Sequence, residues 1–148
     1  MYLVFGSSLG QKQSFFFVFV RRNKIPELPS GLFRKHRQLK EIDLQRNDIA
    51  VLHRAVFRGA SAAKVLHLER NHLERLEENV FAGLVNLTEL YLARNLLTLI
   101  DPKAFRALKQ LQTLDLKANK LRDTFIYSFI CLFIRSFINS FVYLLTCS

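Results

Sequence analysis

The chain has 148 residues, half of them apolar, and a formal net charge of +10. That length holds one domain of ordinary size, the apolar share excludes global disorder, and the charge favours acidic partners without identifying one. Cysteine occurs only at Cys131 and Cys147, which excludes a disulfide framework for the main body and any cysteine-built zinc site.

Residues 1–14 form a poorly defined N-terminal segment. Their apolar run is short, lacks a basic start and has no convincing small-residue cleavage site, so it does not read as a secretory signal. From Phe15 onward a periodic grammar takes over. The string Leu39, Ile42, Leu44, Asn47, Ile49, Leu52, Phe57 returns 24 residues later as Ala63, Leu66, Leu68, Asn71, Leu73, Leu76, Phe81. It returns again as Leu87, Leu90, Leu92, Asn95, Leu97, Ile100, Phe105, and a further copy opens with Leu111, Leu114, Leu116, Asn119, Leu121. Stepping backwards places Phe15, Val18, Val20, Asn23, Ile25, Leu28 and Phe33 in the same columns. Such self-similarity at a fixed period marks a solenoid, in which no unit buries its apolar face alone and stacking builds one continuous core. Alternation such as Leu66-His67-Leu68 predicts a short strand in each copy.

The pattern L-x-x-L-x-L-x-x-N-x-L with a downstream Phe resembles the leucine-rich repeat family, in the 24-residue subtype common in extracellular receptors and matrix proteins. The resemblance covers residues 15–124, about four and a half repeats starting at 15, 39, 63, 87 and 111. It implies an α/β solenoid: a right-handed arc with short parallel strands on the concave face and irregular or 3-10 segments on the convex side. It implies that Asn23, Asn47, Asn71, Asn95 and Asn119 form a buried structural ladder, for which an amide that both donates and accepts is suited. It also implies a protein ligand on the concave face and an extracellular or cell-surface location.

The candidate partner-binding residues on that face are Asp43, Arg46, His67, Glu69, Arg70, Glu89, Tyr91, Arg94 and Asp115. Arg22, Arg46, Arg70 and Arg94 share one column, which a solvated copy of a duplicated repeat explains more readily than a ligand. The second candidate surface is basic. Residues 21–64 carry eleven Lys and Arg against four Asp and Glu, while residues 65–123 carry nine against eight. Arg34, Lys35, Arg37 and Lys40 are the densest run, suited to an acidic glycan or anionic lipid; no nucleic-acid signature accompanies it, and no nucleic-acid partner is expected. Asn86-Leu87-Thr88 fits a glycosylation sequon at Asn86. No catalytic motif, metal site or cofactor motif is present, so no enzyme is expected.

Two departures stand out within the repeats. Ala60 and Ala63 take the places of core leucines, which predicts a loose junction between the second and third coils. Residues 125–148 abandon the grammar for Phe at 125, 129, 133, 137 and 141. That tail reads either as a non-native extension from simple-sequence DNA, making the chain a truncated fragment, or as a membrane span over 125–146, long enough to cross about 30 Å of hydrocarbon.

Overall fold

In the computed structural model, residues 17–121 are described with their side chains, together with the backbone of Phe16, Val4–Gly6 and Tyr143–Leu145. The strands are β1 (Val4–Gly6), β2 (Phe16–Phe19), β3 (Leu39–Asp43), β4 (Val65–His67), β5 (Arg75–Leu76), β6 (Glu89–Tyr91), β7 (Leu99–Ile100), β8 (Thr113–Asp115) and β9 (Tyr143–Leu145). One seven-stranded sheet runs β1-β2-β3-β4-β6-β8-β9, and β5 pairs with β7 in a second, two-stranded sheet.

The 24-residue step is one rung of the main sheet. Ile42 pairs beside Leu66, Leu66 beside Leu90 and Leu90 beside Leu114, all in parallel register. In β4, β6 and β8 the middle leucine is wholly buried while its two neighbours are partly exposed. This is the period-two alternation of a sheet with one covered face. Behind it the leucine columns and Phe33, Phe57, Phe81 and Phe105 form a single core cluster. The four phenyl rings stack in file at 5.7, 6.1 and 5.6 Å, with planes inclined by 17–20°. On the strand side the rings of His67 and Tyr91, one rung apart, are 4.8 Å apart and inclined by only 5°. The coils therefore splay on the phenylalanine side, and the sheet lines the inner side of the curve.

The return segments take the irregular form rather than the 3-10 form. They are chains of i to i+3 turns: Val56 N–H donates to His53 O, Arg58 to Ala55 O, Ala60 to Phe57 O and Ala63 to Ala60 O. No helix occurs among the described residues, 3-10 segments included, so these coils are built of strand and turn. The phenylalanine needs only one such turn to reach the core, and turns this short do not propagate. Gly59 is essential to the second return segment. Its φ is +103°, and a Cβ there would stand 2.3 Å from Phe33 O of the preceding coil.

Ala60 and Ala63 are both wholly buried, in the columns where leucine stands elsewhere. At the edges, β1 pairs antiparallel with β2, and β9 pairs parallel with β8, with Leu144 beside Leu114. The expected membrane span over 125–146, like Cys131 and Cys147, lies outside the described residues except for its last part, and that part is strand, not helix. Among the described residues no helix is long and apolar enough to cross a membrane.

Candidate functional site

Between the buried leucines, each rung offers two side chains to the open face of the sheet. These are Glu41 and, by alternation, Asp43 (whose carboxylate is buried), Val65 and His67, Glu89 and Tyr91, then Thr113 and Asp115. His67 sits at the centre. Its Nδ1 is 3.1 Å from Glu69 Oε1, its Nε2 is 3.6 Å from Glu41 Oε1, and its ring lies flat against Tyr91. The Glu69 hydrogen bond raises the His67 pKa above its ordinary 6.5; partial burial opposes the rise, and the charges of Glu69, Asp43 and Glu41 add to it. The Tyr91 hydroxyl donates to Glu89 at 2.7 Å, and that bond, with burial and the nearby carboxylates, pushes the phenol up to about 12.

The remaining carboxylates are also engaged. Asp43 is buried rather than presented to solvent, accepting bonds from Gln45 N at 3.0 Å and Gln45 Nε2 at 3.1 Å. Asp115 accepts from Lys117 N at 2.9 Å. The second oxygen of Glu69, Oε2, is shielded from solvent and has no hydrogen-bond partner among the described residues.

Where each strand ends, the backbone turns through a left-handed residue. These are Arg22, Arg46, Arg70, Arg94 and Ala118, with φ between 54° and 59°. Their amides donate to the next coil, Arg46 to Glu69 O, Arg70 to Ala93 O and Arg94 to Lys117 O, which holds the arginines in file. Arg46 Nε is shielded from solvent without a partner, and its guanidinium pKa is depressed, chiefly by the charge of Arg70, then by burial and by Arg22, Arg21 and Arg94. The sequence step reveals the column; the left-handed backbone beneath it carries no residue signature, since arginine has no special tolerance for that conformation.

The asparagines follow. Asn71 Nδ2 donates to Leu44 O and Leu68 O, both at 3.0 Å, and its Oδ1 accepts from Ile49 N at 3.1 Å. Asn47, Asn95 and Asn119 repeat the arrangement one coil at a time. Asn23 is exposed and, among the described residues, bonds only to Val20 O and Arg21 O within its own turn.

The basic run lies away from this face. Arg34, Lys35 and Arg37 are exposed, and Lys35 to Leu39 line a shallow cavity of about 240 Å³. A second hollow of about 270 Å³ gathers Lys40, Ala62, Lys64, Asn86, Thr88 and Gln110. Sequence reasoning misses this hollow because its column, unlike the leucines, has no fixed chemical type. Within it Asn86 is exposed but donates to Ser61 O at 2.8 Å, and the Thr88 hydroxyl donates to Lys64 O at 3.0 Å. No cluster of three or more His, Cys, Asp or Glu side chains is placed to hold a metal among the described residues.

The profile of the family described as leucine rich repeat matches residues 18–73 and 61–121. The chain belongs to the leucine-rich repeat family. A comparison with curated proteins finds no match. Among solved structures, a chain of the TLR13–ssRNA13 complex is similar with a TM-score of 0.76 and 28% identity, covering 88% of this chain and 18% of that one. A chain of the Drosophila Toll–Spatzle complex gives 0.65 and 29%, covering 72% and 15%, and one of the LRIM1/APL1C complex gives 0.66 and 30%, covering 70% and 19%. This leucine-rich repeat chain thus spans less than a fifth of the length of each of these three.

Proposed function

We propose that the chain is a non-enzymatic protein-interaction module whose partner docks on the strand face around His67 and Tyr91. The observation that carries this is the convergence there of a stacked His–Tyr pair, half-buried carboxylates and a file of arginines on a face left open by the fold. The two structural neighbours known as complexes with proteins, Toll–Spatzle and LRIM1/APL1C, support a protein ligand. The TLR13 complex contains RNA, but carboxylates at Glu41, Glu69, Glu89 and Asp115 would repel phosphates approaching this surface. A cell-surface or extracellular setting suits a relative of Toll.

The alternative surface is the run Arg34, Lys35, Arg37 and Lys40, which suits an acidic glycan or anionic lipid and would bind with steep salt dependence. A photo-crosslinking residue at position 91, compared with one at the exposed Gln38 within the basic run, separates the readings. The strand-face reading requires partner adducts from position 91 and few from 38; adducts from 38 alone would overturn it.

A further inference from the structure

The open face is divided into two strips of opposite sign, and they are not equivalent. Apart from the shielded Glu69 Oε2, the acidic strip is engaged within the chain, through His67, Gln45, the Tyr91 hydroxyl and the Lys117 amide. Arg22, Arg46, Arg70 and Arg94 make no ion pair with any carboxylate among the described residues. The backbone nonetheless fixes them one coil apart, so like charges recur at the sheet's spacing of about 4.8 Å. Nothing in the packing needs a cation at this turn, because Ala118 occupies it equally well in the last described coil, at φ 54°. Resting on the reading of this face as a protein-docking surface, we propose that the arginine file is the track for an acidic α-helix of a partner protein lying along the solenoid axis.

Pitch and charge select a helix. Carboxylates repeated on one face of an α-helix return every turn, about 5.4 Å apart, so the misfit over three steps of the file is about 2 Å. Arginine side chains absorb that easily, and each guanidinium can take a carboxylate in a two-pronged grip. Alternate side chains of an extended strand recur about 6.7 Å apart, and the same three steps accumulate about 6 Å. A uniformly charged polyanion following the arginines would lie against Glu69, which repels it. A helix has a second flank, and basic residues there would face Glu41 and Glu89.

The test uses the full chain and a fluorescein-labelled helical peptide of roughly 18 residues, with glutamates at i, i+4, i+7 and i+11 and lysines on the adjoining flank. Its controls are a peptide of identical composition with the glutamates dispersed around the helix, and heparin. Fluorescence anisotropy should show the patterned peptide binding about tenfold more tightly than the dispersed one, and Arg70→Gln with Arg94→Gln should remove about that factor. Lys35→Gln with Arg37→Gln should leave binding within about twofold. Ala118→Arg, which extends the file without removing any contact, should tighten binding a few-fold. Equal binding of the two peptides, or indifference to the Arg70/Arg94 substitutions and to Ala118→Arg, would overturn the proposal. So would heparin bound through Arg70 and Arg94 in preference to the patterned peptide. Adducts from position 91 alongside any of these failures would retain the strand-face reading and remove the acidic helix alone.

Discussion

Replacing Asn71 by alanine should be among the most damaging single changes to the solenoid, and the structure sets its size. The side chain is 3% exposed and serves three backbone groups in two coils at 3.0–3.1 Å, with a longer bond of 3.4 Å to Glu69 O. The two carbonyls it binds keep another donor, because Leu44 O also receives Asn47 Nδ2 and Leu68 O also receives Asn95 Nδ2. Ile49 N–H loses the acceptor that the structure gives it. A buried donor left unsatisfied costs about 1–3 kcal/mol, and each of two shared bonds contributes about 0.5–1.5 kcal/mol. Asn71→Ala should therefore lower the unfolding free energy by about 2–6 kcal/mol. Asn23→Ala is the matched control, with the same residue type in the same column but bonds confined to its own turn, and should lose less than about 1 kcal/mol. Urea unfolding followed by circular dichroism measures both. Equal losses at positions 23 and 71, or a loss at 71 below about 1 kcal/mol, would refute the argument that the asparagines bind one coil to the next.

Gly59→Ala should destabilise by more than about 2 kcal/mol, since its methyl would press on Phe33 O at a left-handed φ, whereas Gly31→Ala, with open space around it, should lose about 1 kcal/mol; thermal melts separate the two. Ala63→Leu should raise the melting temperature by about 2–5 °C if the coil junction is underpacked, and a fall would mean that neighbouring side chains have already closed the space. Because the folded pKa of His67 is raised, its contribution to stability is fully present below pH 6.5 and is lost as pH rises through the folded value. The melting temperature should therefore decline across that window, and His67→Gln should flatten the decline; an identical slope in the variant would remove the Glu69–His67–Glu41 arrangement as its cause.

The core was legible because its columns are chemically monotonous. Leu66, Leu90 and Leu114 occupy equivalent places in sequence and in space, and no other register buries them together. Surface placements were less legible because one backbone bond can redirect a side chain. Asp43 alternates outward by pattern, yet its carboxylate folds back on Gln45 and is buried. The repeat pattern leaves the return segments open between irregular and 3-10 forms; the phenylalanines anchor either one, and no residue pattern decides whether successive i to i+3 turns join into a helix. The edge strands were hidden for the same reason: Val4–Gly6 carries no repeat signature, and Leu144 reaches the rung beside Leu114 after 30 residues rather than 24.

The same economy separates the residues that hold the coils together from those of the proposed docking surface. From Leu39 onward the coils spend their leucines, phenylalanines and asparagines on their neighbours, through contacts that recur at each step. The outward columns take no part in that cohesion and are free to vary, as Val65 and Glu89 do at equivalent positions. A column that stays arginine through four coils, at a turn where alanine also fits and where its charges repel one another, is not explained by the scaffold. Repulsion between fixed like charges is relieved when opposite charges arrive at matching spacing. An arginine file kept at an energetic disadvantage is therefore a stronger indication of an acidic partner than the chain's overall positive charge, which a dispersed set of lysines would produce equally well.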